Sequence, residues 1–268
     1  MATELIAVYV ALGALVGFLA GLLGIGGGMT IVPLLVALFT LQGFALEHVL
    51  PLAIGTAAAT IVFTSLSSAR AHHARGAVDW SIVRAMAPGL VIGSLVGPQI
   101  ATALPARTMA AVFAVFMGFT AWRMVRNAQP KPSRSLPAAP GLFGVGAGIG
   151  LLSGIVGAGG AFLSVPFMVR CNVRMHAAVA TSSALGMPIA LAATAGFVIA
   201  GMRKSGLPPH SLGFVYLPAL GAIVVASMLT APLGARLAHA WDVARLKRTF
   251  ALLMFGLGGY MAWRAVAG

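Results

Sequence analysis

The sequence predicts an all-α, polytopic membrane protein built as two inverted repeats of about five hydrophobic segments each, with glycine-broken helices or hairpins opening each repeat. Three observations carry that expectation. Hydrophobic residues make up 60 % of the chain and charged residues 8 %, with a mean hydropathy of +1.00, more apolar surface than one water-soluble core can hide. Apolar stretches near the length of a membrane span, about 20 residues, fill most of the chain and are separated by short clusters holding most of the charge. Finally, one passage occurs twice: Gly13-Ala14, Gly17, Leu19, Gly21, Gly24, Gly26-Gly27 and Val32-Pro33 recur 133 residues later as Gly146-Ala147, Gly150, Leu152, Gly154, Gly157, Gly159-Gly160 and Val165-Pro166.

The segments are 5–25, 29–42, 49–69, 85–104 and 109–125 in residues 1–125, the first repeat. They are 141–158, 161–169, 177–201, 213–235 and 249–266 in residues 141–268, the second. Residues 126–140 between them are polar, basic and rich in proline, a linker by composition. No Lys or Arg precedes the first apolar run, so a cleaved secretory signal is not expected. Trp80, Trp122, Trp241 and Trp263 fall at segment ends, where indoles favour the headgroup region.

If every segment reverses direction, Arg107, Arg203, Lys204 and Arg264 lie on one side and the other 13 of the 17 Lys and Arg on the opposite side. Were 5–42 and 141–169 single crossings, the split would be 10 against 7. The positive-inside rule then favours returning hairpins, a cytoplasmic linker and both termini outside. Five segments per repeat is an odd number, so the second copy enters the membrane from the opposite face, as in many secondary transporters. The net charge of +13 is explained by this topology and not by nucleic-acid binding.

The repeated glycines fall into two groups. Gly13, Gly17 and Gly21, like Gly146, Gly150 and Gly154, recur every fourth residue and form a flat helix face for close packing. Gly24, Gly26, Gly27 and Gly28, with Gly157, Gly159 and Gly160, are too dense for a stable helix. Broken backbone at membrane depth is tolerated only against protein or a water-filled cavity, so these breaks are expected to face inward. A new helix then starts near Thr30 and near Leu163-Ser164, offering unpaired N–H groups at a positive dipole end, which attracts anions. Pro33 and Pro166, a few residues inside, remove a donor and kink each short helix.

In the third segments, Gly55-Thr56 corresponds to Ala180-Thr181 at an offset of 125, and Thr56, Thr181, Ser182 and Ser183 are candidate hydroxyl donors. The competing reading is that each bonds a carbonyl of its own helix. Gly97-Pro98 corresponds more weakly to Ala231-Pro232. The candidate substrate site is therefore Gly26, Gly27, Gly28, Thr30, Pro33, Thr56, Gly159, Gly160, Ser164, Pro166, Thr181 and Ser182. No catalytic residue, cofactor or metal is expected: Glu4, Glu47, Asp79 and Asp242 sit at segment ends or in loops, and His72-His73 lacks further ligands. Cys171 reads as a small residue at a helix end.

Gly24-Ile-Gly-Gly-Gly28 before Pro33, Gly157-Ala-Gly-Gly160 before Pro166, and the Gly55-Thr56 and Thr181-Ser182 pairs resemble the TauE/SafE family of membrane transporters over nearly the full length. The resemblance implies a bacterial inner-membrane permease exporting sulfite, sulfoacetate or related sulfur-containing anions. Its partners would be that small anion and membrane lipid, with the oligomeric state open. Ala161 stands where the first copy has a third glycine, which leaves the half-sites unequal. A passive anion channel of the same fold and a non-transporting assembly subunit are the alternatives.

Overall fold

The computed structural model describes residues 2–23, 28–74, 76–126, 133–238 and 243–267. Among them are the helices α1 (Ala2–Leu23), α2 (Gly28–Leu41), α3 (Leu46–Ala74), α4 (Trp80–Ala103) and α5 (Ala106–Val125). The second half contributes α6 (Ala139–Val156), α7 (Ala161–Arg170), α8 (Met175–Met202), α9 (Leu217–Ala238) and α10 (Val243–Ala267). Each expected segment has its helix. The fold is all-α and polytopic, with five described helices long and apolar enough to cross a membrane.

The expected 213–235 segment begins differently. Ser211–Leu212 and Val215–Tyr216 pair as a small antiparallel hairpin, β1 and β2, and α9 starts only at Leu217. Pro218 has no N–H to donate and fits best in the first turn of a helix, which is where α9 places it. Gly201, Gly55 and Gly213 admit the hairpin's backbone against α8 and α3; a Cβ on any of them would overlap main-chain atoms.

Burial follows a solvent of lipid. Val115, Leu229 and Leu252 are 73 %, 71 % and 71 % exposed, whereas Thr56, Ser94, Ser164 and Thr181 are fully enclosed. The largest wholly buried side chains, Tyr9, Phe39, Phe113, Phe197 and Phe214, fill the interior. Trp80, Trp122 and Trp263 are exposed at helix ends, as interfacial anchors should be. Trp241 lies outside the described residues.

Gly13, Gly17, Gly146, Gly150 and Gly154 pack helices together, as expected, while the surroundings of Gly21 lie outside what is described. A Cβ on Gly13 would stand 2.7 Å from the Ile223 Cα, and one on Gly17 would run into Ser227. Gly146, Gly150 and Gly154 meet Met86, Leu90 and Ser94 in the same way. The α4 side carries its own stripe, Gly89, Gly93 and Gly97, against Phe143, Ala147 and Leu151, so each helix lies in the groove of the other. The Ser94 hydroxyl donates to Gly150 O across this seam at 3.2 Å.

Residue numbers rise together along α1 and α9 and along α4 and α6, so these pairs run parallel. Along α3 and α8 they run oppositely: Gly55 approaches Phe197 and Gly186 approaches Ser65. Asp79 meets Thr181 while Gln99 meets Gly196, making α4 parallel to α8. Within the halves, Tyr9 meets Gln42 and Ser164 meets Ser182, so α2 runs against α1 and α7 against α8. The short helices therefore turn back. With 14 and 10 residues and a rise of 1.5 Å per residue, they extend about 21 and 15 Å, less than the roughly 30 Å hydrocarbon core.

Candidate functional site

The second glycine break is formed by two left-handed residues. Gly157, at φ +65°, ends α6 by directing its N–H to Ser153 O, and Gly160, at φ +73°, begins α7. A side chain at either would be strained by its backbone alone. Space forbids it too, since a Cβ at Gly157 would strike Ile54 of α3 and one at Gly160 would strike Ile189 of α8. Gly159, with space beside it, faces Ile61.

Gly24 to Gly27, and with them the expected site residues Gly26 and Gly27, lie outside the described residues. Gly28, the first residue of α2, is buried, and a Cβ there would stand 3.0 Å from Gly157 O and overlap Ile61. The start of α2 thus lies against Gly157, the C-cap of α6, between α3 and α8 and three residues before the Gly160 that opens α7. Each of the two helix starts carries a positive dipole end. No side chain caps α7. The N–H groups of Leu163 and Ser164 bond Gly160 O, while Ala161 and Phe162 have no described acceptor.

Among the expected hydroxyls, Ser164 and Ser182 come together. Their oxygens are 2.7 Å apart, and Ser164 Oγ also lies 3.0 Å from Gly160 O. Thr30 is buried in the first turn of α2. Pro33 and Pro166 occupy the sixth position of α2 and α7 and leave the Met29 and Phe162 carbonyls without their helical donors. Ser183 turns back onto its own helix, donating to Val179 O at 3.0 Å.

Thr56 and Thr181 each accept a backbone N–H from the other half of the chain. Thr56 Oγ accepts the Tyr216 N–H at 3.0 Å, and Thr181 Oγ accepts the Asp79 N–H at 2.9 Å. Tyr216 immediately precedes α9 and Asp79 immediately precedes α4. Each threonine therefore holds the residue before the fourth helix of the other half, the same bond made twice.

Sequence reasoning missed Ser153. Its side-chain oxygen is buried without a hydrogen-bond partner, 3.6 Å from where a Gly160 Cβ would stand. Comparing the copies contained the signal, because Ser153 corresponds to Ala20 at the 133-residue offset. Among the described residues no group of His, Cys, Asp and Glu is arranged to hold a metal, and the site's electrostatics come from backbone dipoles and hydroxyls.

The family model described as sulfite exporter TauE/SafE matches residues 9–261. The chain belongs to the TauE/SafE family. A probable membrane transporter protein of Haemophilus influenzae is 34 % identical over 244 residues, covering 90 % of this chain and 92 % of that one. The Bacillus subtilis probable membrane transporter protein YdhB is 26 % identical, covering 87 % and 90 %. A probable membrane transporter protein of Xylella fastidiosa is 26 % identical, covering 100 % and 98 %. No solved structure matches. As a member of TauE/SafE, the chain is a multi-pass protein of a membrane transporter family.

Proposed function

We propose that this TauE/SafE protein exports a small sulfur-containing oxyanion, such as sulfite or sulfoacetate, across the bacterial inner membrane by alternating access. The observation that carries the reading is the meeting of Gly28, the first residue of α2, with Gly157 in the break that leads into α7. It brings the starts of two short helices, each with a positive dipole end that favours an anion, to one region between α3 and α8. The anion sits against Gly28, Thr30, Gly159, Gly160, Ser164 and Ser182. Pro33 and Pro166 shape the two short helices, and Thr56 and Thr181 flank the site with a backbone N–H already on each oxygen.

Helix pairing supports two inverted repeats: replacing each helix by its counterpart five places along turns α1–α9 into α6–α4 and returns α3–α8 and α5–α10 to themselves. Opposed repeats around one site can rock to expose it to either side in turn. The basic loops face the cytoplasm and both termini the periplasm.

The test is flux in proteoliposomes. Labelled sulfite uptake is expected to saturate and to accelerate when sulfite is present on the far side; conductive, unsaturable flux would replace the carrier with a channel. Gly160→Leu is expected to abolish uptake in protein that still inserts, and unchanged uptake in that variant removes the site from α7.

A further inference from the structure

Ser153 is only 1 % exposed, and its Oγ has no hydrogen-bond partner. A buried hydroxyl in that state is costly and calls for a ligand or water to complete it. Ser211 Oγ, on β1, is the other such side-chain atom among the described residues, but Ser153 lies one turn before a helix break and beside an uncapped helix start. Its oxygen lies 3.6 Å from where a Cβ on Gly160, the residue that opens α7, would stand.

Ser164 and Ser182 are hydrogen-bonded to each other, and Ser164 also reaches Gly160 O. Each hydroxyl has a single proton, and that of Ser153 has no acceptor in the protein.

The duplication supplies an internal control. Ser153, Ser164 and Ser182 correspond to Ala20, Ile31 and Ala57 in the first copy, at offsets of 133, 133 and 125. In the first copy α1, α2 and α3 form with apolar residues at these positions, so the helices do not require the hydroxyls.

We propose that Ser153 is a specificity-determining ligand for substrate. Its hydroxyl donates to one oxygen of a small oxyanion seated on the first turn of α7, alongside the N–H groups of Ala161 and Phe162. The second copy then carries most of the polar binding, and the first contributes the close wall at Gly28. This inference rests on the oxyanion-transport reading above.

Sulfite is the probe, in proteoliposomes. A hydrogen bond to a charged group is worth roughly ten- to a hundredfold in affinity. Ser153→Ala should raise the KM for sulfite by that factor with the maximal rate nearly unchanged, and Ser153→Thr, which keeps the hydroxyl, should restore most of it. Thermal stability in detergent should not fall in Ser153→Ala, because the hydroxyl removed has no partner in the protein. A wild-type KM in Ser153→Ala overturns the inference and leaves the transport reading standing. Loss of insertion in Ser153→Ala overturns it as well, by making the hydroxyl structural. Wild-type protein that moves none of sulfite, sulfoacetate, sulfate or thiosulfate defeats the transport reading and this inference with it.

Discussion

At the scale of single residues, Asp79 shows how a polar side chain is placed at the edge of this fold. Its carboxylate accepts the Ser81 hydroxyl and the Ser81 and Ile82 N–H groups at the start of α4. The Ser81 hydroxyl, opposed by partial desolvation and joined by the two backbone N–H groups, holds the carboxyl below its usual range. A lowered value makes the stabilisation full above the unfolded carboxyl's pKa, about 4, and lost as pH falls through the folded value. Asp79→Ala should therefore cost about 1 kcal/mol at neutral pH, read as a lower thermal midpoint, and the gap from wild type should close in acid. Thr56→Val and Thr181→Val should each cost about 1–3 kcal/mol, because each strands a backbone N–H. The sequence singled out both threonines by their shared offset, yet their partners lie 160 and 102 residues away. No local pattern points across that distance.

At the scale of helices, glycine has two uses, and spacing distinguished them. Every-fourth-residue glycine predicted packing faces, and Gly13, Gly17, Gly146 and Gly150 have them. The α4 stripe was legible only in part, as the Gly97-Pro98 match, because Ile223 and Ser227 stand opposite Gly89 and Gly93 in the second copy. Close approach also predicts which glycines tolerate substitution. A Cβ at Gly93 would overlap Ala147 O, whereas one at Gly118 or Gly144 meets nothing within 4 Å. Gly93→Leu should separate α4 from α6 and prevent recovery of folded protein. Gly118→Ala and Gly144→Ala should be neutral or raise stability by up to about 1 kcal/mol, through better helix propensity and a less flexible unfolded chain. Thermal midpoints of the purified variants would separate the two classes; a tolerated Gly93→Leu would remove close packing as the reason for the stripe.

At the scale of the whole molecule, the sequence left the hairpin question to a count of charges, and helix directions now bear on it independently. If α1 with α2, and α6 with α7, crossed the membrane as single units, α3 and α8 would be the second and sixth crossings and run parallel. They run antiparallel, as alternation through all ten helices requires. The chain ends sort accordingly. Ser133 and Arg134 donate backbone N–H groups to Arg170 O at 3.0 and 3.1 Å, tying the linker's end to the turn before α8. At the other end, Gln42 bonds Tyr9, His48 lies 3.2 Å from Ser205 O, and Arg264 donates to Thr40. The linker therefore shares a side with Arg170 and Arg174, and both termini share the opposite one with the Ser205 loop. Single cysteines in a Cys171→Ser background should divide the same way: Ser135→Cys and Asn172→Cys protected from a membrane-impermeant maleimide in intact cells, Ser205→Cys and Ala267→Cys labelled. The positive-inside rule fixes which group is protected. Labelling of Ser135→Cys together with Ala267→Cys would break the alternation, and with it the opposed repeats on which a single central anion site depends.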